Sequence, residues 1–357
     1  MRPAFRTGLD LIFALRPLLW IPAIALFAAG ESWGHASSGA SGTSGTWGTS
    51  GPAALGALLL LLGAVHVANG WRDRAGDRLN RKGAAMTSGA VSGSALAIVA
   101  GLCLAGSLLL SLHPTVGGTS RALLAAAALL GAAYVAPGVE LKRRAGLDLL
   151  CHGIGYGVVA FLLGASAAGA VGTRAFDWVR AVAASAPYAA GILAVALVTM
   201  IADAPGDASS GQRTLAVRLG DARAWTFARG LAWATLLAGL QAHEWVPALW
   251  GLLAAAVLSL QDSEGSPAPG APDGGAPDGG APGAANRCAI LLQAIFIVLL
   301  APRAPWMAVA AVGIAAASSA YGAWRWGEAY PWNRLAARKG RRARGPSEEV
   351  SARRACT

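Results

Sequence analysis

The sequence predicts an all-α membrane protein, a polytopic helical bundle with nine or ten transmembrane helices. Of its 357 residues 55% are hydrophobic and only 13% are charged, whereas soluble domains carry about 25% charged residues. The apolar residues fall in runs of roughly 20, the length with which a helix crosses a hydrocarbon core about 30 Å thick. In so apolar a chain, the net charge of +11 favours membrane orientation over nucleic-acid binding.

The apolar runs set the positions of the predicted spans. The first eight occupy residues 9–29, 53–69, 89–112, 119–137, 148–171, 180–202, 223–242 and 244–261. A further run over 288–322 is broken at 301–305, so it is either one kinked element or a pair of short helices. The predicted organisation is therefore a membrane domain over 1–325, low-complexity loops at 34–51 and 263–286, and a basic, disordered tail at 326–357.

Basic residues are concentrated in alternate connections between the predicted spans. The connections after spans 2, 4 and 6 contain Arg72, Arg74, Arg78, Arg81, Lys82, Lys142, Arg143, Arg144, Arg213, Arg218 and Arg223. The connections after spans 1, 3 and 5 contain only Arg121, Arg174 and Arg180. Because basic loops stay on the cytoplasmic side, we expect the N-terminus and the basic connections to be cytoplasmic. With ten spans the basic tail is cytoplasmic too, and the expected location is the plasma (inner) membrane.

Asn69, Asp73 and Asp77 form a first polar motif at the cytoplasmic end of predicted span 2. Steps of four residues turn a helix by about 400°, so the three side chains share one face. One amide and two carboxylates provide the oxygen ligands that Mg²⁺ prefers. The alternative is a solvated face whose aspartates pair with neighbouring arginines, and this motif alone favours neither reading.

A second acidic pair, Asp203 and Asp207, lies at the end of predicted span 6. Because Pro205 and Gly206 disfavour a continuous helix, we expect Asp203 to cap the span and Asp207 to lie on a turn. The basic connection after span 4 falls on the same membrane face. Two acidic clusters and a basic loop on one face predict metal-bridged binding of a diphosphate.

Four further polar side chains are candidates for the same region: Arg16, Arg213, His66 and His152. Arg16 falls inside the first predicted span, where a charge is costly, and we expect it to face a polar cavity rather than to snorkel. Arg213 follows the second acidic pair and either reaches the same phosphate or lies on the surface. His66, one turn before Asn69, is more simply explained as a helix-packing histidine than as a base, and so is His152.

These motifs resemble those of the UbiA-type intramembrane prenyltransferases. NGWRDRAGDRLNR is similar to their first motif, Asn-x-x-x-Asp-x-x-x-Asp, and DAPGDASSGQRTLAVRLG is similar to their second. YVAPGVELKRRAGLDLL resembles the signature of their connection after span 4, and Arg16 followed by Pro17 matches an arginine common in their first helix. The chain departs from many members at Gly70 and Pro205, and the two low-complexity loops are additions.

The resemblance implies a bundle around a central cavity and an integral membrane enzyme. The reaction that it implies is transfer of a prenyl group from an allylic isoprenyl diphosphate to a lipophilic acceptor, such as a quinone precursor, a tetrapyrrole or a carotenoid. The implied ligands of two Mg²⁺ ions are Asn69, Asp73, Asp77, Asp203 and Asp207. The implied diphosphate-binding residues are Arg16, Arg78, Lys142, Arg213 and Tyr134, and the implied catalytic residues are Lys142 and the four aspartates. Phe161 and Tyr188 are candidate linings for the isoprenoid tail, although packing is the simpler role for both.

Three other functions agree with part of the pattern. A membrane terpene cyclase of the same superfamily would ionise the same kind of diphosphate without a separate acceptor. An ion-coupled carrier predicts acidic residues near the middle of the membrane and repeat symmetry, whereas these acids lie at one face. A scaffold that contacts anionic lipid through its basic tail accounts for the tail but not for the paired aspartates.

Overall fold

The computed structural model describes residues 3–37, 50–80, 84–169, 176–262 and 281–326. Across these ranges the chain is helical, and its β-structure is limited to a single bridge between Arg144 and Arg213. Eight helices in the described ranges are long and apolar enough to cross a membrane, and Trp245–Leu260 is a shorter apolar helix. The predicted all-α membrane bundle is therefore confirmed.

The helices follow one another in chain order. They are α1 (Pro3–Ala14), α2 (Ile21–Ser37), α3 (Gly51–Leu79), α4 (Ala84–Thr87), α5 (Gly93–Ser111), α6 (Gly118–Val135), α7 (Leu147–His152), α8 (Ala160–Gly169), α9 (Trp178–Ser209), α10 (Leu215–Leu219), α11 (Asp221–Gln241), α12 (Trp245–Asp262), α13 (Ala281–Leu300) and α14 (Pro305–Trp326). A π-helical segment, Gly153–Val159, joins α7 to α8. The described residues up to Val312 form one compact unit, and the last part of α14 belongs to a second.

The first predicted span is divided at Arg16. The polypeptide leaves α1 after Ala14, Arg16 adopts the left-handed conformation with φ 54° and ψ 58°, and the 3₁₀ turn Pro17–Trp20 leads into α2. The residue before a proline is disfavoured in the right-handed helical region, which explains the break. The predicted first span over 9–29 lies within the single candidate membrane span Arg6–Ser37, and the helix of that span is interrupted at Arg16.

The predicted low-complexity loops are shorter than expected. The α2 helix includes residues 34–37, which we placed in a loop, because its glycines permit backbone contact with α8: a Cβ atom on Gly34 would lie 2.7 Å from the carbonyl oxygen of Ala165. Likewise α13 begins at Ala281, inside the predicted loop 263–286. Residues 38–49, 263–280 and the tail 327–357 lie outside the described residues.

The long helix α9 runs through Pro205 without interruption, so our expectation that the span ends near Asp203 is wrong. A proline removes one backbone donor and crowds the preceding turn. Here the side chain of Asn80 contacts the backbone on both sides of the proline. Its Nδ2 donates to the carbonyl oxygen of Asp203, and its Oδ1 accepts from the N–H of Gly206, each at 3.0 Å. Asp203 and Asp207 therefore lie one turn apart on a continuous helix.

Helix α9 packs against α3 on one side and against α11 and α13 on the other. Its buried side chains join those of α11, α12 and α13 in one large apolar core, which includes Leu197, Ile201 and Trp250. In contrast, α5 and α6 expose large apolar side chains such as Leu109 and Leu129. Outward apolar side chains of this kind suit contact with lipid tails.

Candidate active site

Five side chains from α3 and α9 form what we call the acidic face. They are Asn69, Asp73, Asp77, Asp203 and Asp207. The first three occupy successive turns of α3, and the last two occupy successive turns of α9. Residues four apart on a helix lie on the same side of it, so each group points in one direction.

Lys142 inserts between the residues of the first motif. It belongs to a 3₁₀ turn, Leu141–Arg143, in the connection between α6 and α7. Its Nζ donates to Oδ1 of Asn69 at 2.8 Å and to Oδ1 of Asp73 at 2.6 Å, and only 4% of its side chain is exposed. A lysine is almost never buried to this extent unless it is paired, so the acidic residues and the basic loop form one unit.

Arg16 forms an ion pair with Asp77. The left-handed turn at Arg16 brings this residue to α3, and its side chain is 21% exposed. Asp203 and Asp73 also interact electrostatically with the Arg16 guanidinium, and Asp203 interacts with Asp77. One arginine thus faces carboxylates from both acidic motifs.

Within the described residues, Asp73 and Asp77 are not paired with the neighbouring Arg74 and Arg78. The Arg74 guanidinium lies 4.2 Å from the centre of the Trp71 ring. The Arg78 guanidinium donates to the carbonyl oxygen of Thr87, at 2.9 Å from Nη2 and 3.3 Å from Nε. The solvated-face alternative requires such local pairs, whereas Asp73 and Asp77 pair with residues far away in the chain.

Gln212 links the two acidic motifs, and the sequence analysis did not single it out. Its side chain is buried, and Nε2 donates to Oδ1 of Asp73 at 3.1 Å. Its backbone N–H donates to the carbonyl oxygen of Asp207 at 2.9 Å. The only sequence signal is its position within the SGQRT segment that follows the second pair.

Asp148 holds the basic connection in place, and it too was missed. Its carboxylate is 1% exposed and accepts three backbone N–H groups: from Gly146 and Leu149 at 2.8 Å, and from Leu215 at 2.7 Å. Leu215 begins α10, so this carboxylate joins the Lys142 connection to the segment after α9. Its position in the first turn of a predicted span was the available signal, because carboxylates are favoured at helix N-termini.

The other predicted diphosphate-binding residues occupy different surroundings. Tyr134 packs edge-on against His152, with ring centroids 5.5 Å apart. Arg213 is exposed, and its backbone forms the bridge to Arg144. The structure thus brings Arg16 and Lys142 to the acidic face, whereas the Arg78 guanidinium contacts Thr87 instead.

His66 connects three elements just inside the bundle from Asn69. Its Nδ1 lies 3.3 Å from the carbonyl oxygen of Leu15, and its Nε2 lies 2.8 Å from the hydroxyl of Tyr156. Because a carbonyl only accepts hydrogen bonds, we assign the proton to Nδ1, and the Tyr156 hydroxyl then donates to Nε2. These contacts are those of a histidine that packs α3 against the π-helical segment.

An apolar cleft lies deeper in the bundle, between α2, α9, α11, α12 and α13. Its lining includes Ile21, Leu26, Tyr188, Trp250 and Phe296. Ile21 follows Arg16 by five residues, and the 3₁₀ turn Pro17–Trp20 connects the two. Phe161 is fully buried and packs against Tyr188 with the two rings tilted by 32° and their centroids 5.2 Å apart.

The donor set of the acidic face fits Mg²⁺ in its chemistry. It consists of four carboxylates and one amide, all hard oxygen ligands. Among the described residues, no three carboxylate, imidazole or thiol side chains are already gathered closely enough to hold a metal ion. Two of the carboxylates are paired with Lys142 and Arg16 instead.

Comparison with known structures gives the same fold. A UbiA homologue from Archaeoglobus fulgidus bound to GPP and Mg²⁺ is 17% identical, with a TM-score of 0.59 over 82% of this chain and 99% of that chain. A UbiA homologue from that organism bound to DMAPP and Mg²⁺ is 17% identical, with a TM-score of 0.57 over 82% and 99%. A structure of digeranylgeranylglyceryl phosphate synthase is 18% identical, with a TM-score of 0.53 over 86% and 99%.

No curated protein matches the chain in sequence. The model of the UbiA prenyltransferase family, however, matches residues 14–262. This match includes the whole acidic face together with Arg16 and Lys142, and it extends over more than two thirds of the 357 residues. The chain belongs to the UbiA prenyltransferase family.

Proposed function

We propose that the protein is an integral membrane prenyltransferase that transfers a prenyl group from an allylic isoprenyl diphosphate to a lipophilic acceptor. The observation that carries this proposal is the meeting of carboxylates from two helices with two largely buried cations, Lys142 and Arg16. The lining of an apolar cleft begins at Ile21, five residues after Arg16. A diphosphate with an apolar tail matches this arrangement, because its phosphates suit the cations and its tail suits the apolar cleft. Membership of the family supports the same reaction.

When the donor binds, Lys142 and Arg16 would exchange their carboxylate partners for phosphate oxygens. Lys142 and Arg16, which pair with Asp73 and Asp77, would turn to the phosphate oxygens, because ammonium and guanidinium groups bind phosphate strongly. The carboxylates released in this way would hold the metal, and the complete proposed ligand set is Asn69, Asp73, Asp77, Asp203 and Asp207. Two ions match this number of ligands, since Mg²⁺ takes few carboxylates and completes its shell with phosphate oxygens and water.

The reaction itself is ionisation of the donor followed by attack of the acceptor. Bound Mg²⁺ would stabilise the negative charge that develops on the leaving diphosphate. Lys142 and Arg16 stabilise the same charge from within a site of low dielectric. The carbon–oxygen bond breaks, the electron pair leaves with the diphosphate, and the allylic cation takes an electron pair from the acceptor, which then loses a proton. The surrounding helices keep water away from the cation.

The isoprenoid tail would extend from the acidic face into the apolar cleft. The walls of the cleft are apolar and aromatic, and its lining begins at Ile21, five residues after Arg16. We place the acidic face on the cytoplasmic side of the plasma membrane, as the distribution of basic residues predicts. The long spacing between Tyr134 and Lys142 favours a large lipophilic acceptor.

The direct test is to incubate the purified protein with geranyl, farnesyl and geranylgeranyl diphosphate, with and without Mg²⁺, in the presence and absence of a lipid extract. The proposal predicts Mg²⁺-dependent release of diphosphate together with a prenylated lipid that mass spectrometry can identify. Release of diphosphate with a cyclised hydrocarbon and no dependence on the extract would establish a terpene cyclase instead. Folded protein that releases no diphosphate from any donor would refute both enzymes.

A further inference from the structure

The two acidic motifs lie on helices that cross in backbone contact. A Cβ atom added to Gly76 would lie 3.1 Å from the carbonyl oxygen of Gly206, and one added to Gly206 would lie 2.6 Å from the carbonyl oxygen of Gly76. Gly76 precedes Asp77, and Gly206 lies between Asp203 and Asp207. The crossing point of α3 and α9 is therefore one residue from Asp77 on α3 and one residue from Asp207 on α9.

The side chain of Asn80 joins the two helices at this crossing. It follows Asp77 by three residues, at the C-cap position directly after α3, and both the oxygen and the nitrogen of its amide form hydrogen bonds with α9. The Nδ2 atom donates to the carbonyl of Asp203 and the Oδ1 atom accepts from the N–H of Gly206. A pair of opposite hydrogen bonds to two backbone groups resists both sliding and rotation of one helix against the other.

Such a constraint matters for a site that is shared between helices. A shift of one helix by a single residue displaces its side chains by about 1.5 Å. Magnesium accepts oxygen ligands only within a narrow range near 2.0–2.1 Å, in almost ideal octahedral geometry. A displacement far smaller than one residue would therefore spoil joint binding by carboxylates of α3 and α9. The hydrogen bonds of Asn80 lie on the same two turns as Asp77 and Asp203, where control of register is most effective.

We propose that Asn80 is a positioning residue, which fixes α3 to α9 in the register that lets both acidic motifs bind one metal–diphosphate unit. This inference rests on the proposed function, because it assumes that the acidic face binds such a unit. Asn80 does not contact the donor in this account. It acts through Asp203 and Gly206, which explains why an amide is needed: a carboxylate at position 80 could accept from Gly206 but could not donate to the carbonyl of Asp203.

The test compares Asn80→Ala with the wild type and with a matched control, Ser107→Ala. Ser107 also joins α3 to a neighbouring helix, since its hydroxyl donates to the carbonyl oxygen of Ala57 at 2.8 Å. That contact lies away from the acidic face. Both variants lose a side chain that forms a hydrogen bond between helices. Only Asn80→Ala removes hydrogen bonds between α3 and α9 at the point where the two helices cross. Gly206→Ala serves as a second variant, because the added methyl group would press on Gly76 and Asn80.

Two measurements are made on the full-length protein in detergent. The first is binding of Mn²⁺ in the presence of inorganic pyrophosphate, followed by electron paramagnetic resonance. We expect Asn80→Ala and Gly206→Ala to weaken this binding by about tenfold, roughly the size expected when two hydrogen bonds are lost. The second is hydrogen exchange of the segment 203–209 without metal, which should quicken in Asn80→Ala by about tenfold for the same reason. Ser107→Ala should leave both unchanged.

The outcomes distinguish failure of the positioning role of Asn80 from failure of the proposed function. Wild-type affinity for Mn²⁺ and pyrophosphate in Asn80→Ala would overturn the positioning role while leaving the proposed function intact. Unchanged hydrogen exchange over 203–209 would overturn it as well, because the amide would not hold α9. If the wild type itself fails to bind Mn²⁺ with pyrophosphate, both the proposed function and this inference fall. An equal loss of binding in Ser107→Ala would show a general effect of loosened packing and would also contradict the inference.

Discussion

The ammonium of Lys142 lies 2.6 Å from Oδ1 of Asp73, although 69 residues separate them in the chain. The same ammonium contacts Oδ1 of Asn69, so one cation occupies two of the proposed metal ligands. In the account given above, lysine and metal compete for these oxygens until the diphosphate offers the lysine another partner. This competition has consequences that can be measured.

Lys142→Met should separate metal binding from catalysis. Without the ammonium, Asp73 and Asn69 are free to bind a cation, so we expect the affinity for Mn²⁺ alone to increase several-fold. The turnover number should fall by about 100-fold or more, because the variant lacks the preorganised positive charge that stabilises the leaving diphosphate. Electron paramagnetic resonance and a diphosphate-release assay measure the two effects. Weaker Mn²⁺ binding in this variant would contradict the proposed exchange of partners.

Arg16 can be tested without disturbing the backbone. Its φ of 54° is a conformation that asparagine and glycine tolerate well, so Arg16→Asn and Arg16→Gly remove the charge but keep the turn. We expect both to lower kcat/KM for the donor by about 100-fold, because a phosphate-binding cation is lost. Arg16→Lys keeps the positive charge and the backbone preference of arginine but loses the planar guanidinium that binds phosphate with two parallel hydrogen bonds, so it should recover only part of the activity. Activity within a few-fold of the wild type in Arg16→Asn would contradict a role in diphosphate binding.

Asp148 should matter for stability more than for chemistry. Asp148→Ala leaves three backbone N–H groups without their acceptor, and the loss of the acceptor costs about 1–3 kcal/mol for the buried N–H group of Leu149 and less for the part-buried groups of Gly146 and Leu215. We therefore expect a lower melting temperature and a higher KM for the donor, since the Lys142 connection loses its anchor at Leu215. Asp148→Asn retains an oxygen acceptor and should be intermediate. Exposed Asp221 provides the control, and Asp221→Ala should behave like the wild type.

The pair of His66 and Tyr156 distinguishes packing from catalysis. If His66 only packs α3 against the π-helical segment, Tyr156→Phe costs about one hydrogen bond, roughly 1 kcal/mol of stability. Turnover should then stay within about tenfold of the wild type. Steady-state kinetics beside a thermal melt would show this result. A fall of several hundred-fold in kcat with an unchanged melting temperature would instead assign the Tyr156 hydroxyl to the reaction.

The cleft gives a prediction about donor length. A Cβ atom at Gly191 would lie 3.2 Å from the Trp250 ring, so Gly191→Ala narrows the cleft without a severe clash. If the isoprenoid tail occupies this space, the substitution should lower kcat/KM more for a longer donor than for a shorter one. We expect kcat/KM for geranylgeranyl diphosphate to fall by about tenfold relative to geranyl diphosphate, the size expected for one or two displaced methylene groups. An equal effect on both donors would exclude the tail from this cleft.

The sequence predicted the parts of the structure that depend on local patterns. Runs of apolar residues indicated the membrane helices, and the four-residue spacing placed Asn69, Asp73 and Asp77 on one face. Arg16 and Lys142 were predicted beside the acids from the cost of a charge in the membrane and from the family resemblance. These signals are carried by single segments, which is why they can be recognised without the structure.

The features that were missed depend on contacts between distant segments. Local rules end a helix at Pro205 and Gly206, but Asn80 satisfies the backbone there and the helix continues. The roles of Asp148 and Gln212 likewise exist only because α10 and α3 lie beside them in the fold. A sequence without its folded neighbours does not show which polar side chain will meet which backbone group.

The central claim is that the two acidic motifs together ionise an allylic diphosphate. The most direct measurement is Mg²⁺-dependent release of diphosphate from geranylgeranyl diphosphate by the wild type, by Asp73→Asn and by Asp203→Asn, with Asp221→Asn as a control for loss of an aspartate. The account predicts that each motif variant loses at least about 100-fold in rate while remaining folded, because each removes a charged ligand of the metal. Wild-type release by either motif variant would contradict the account.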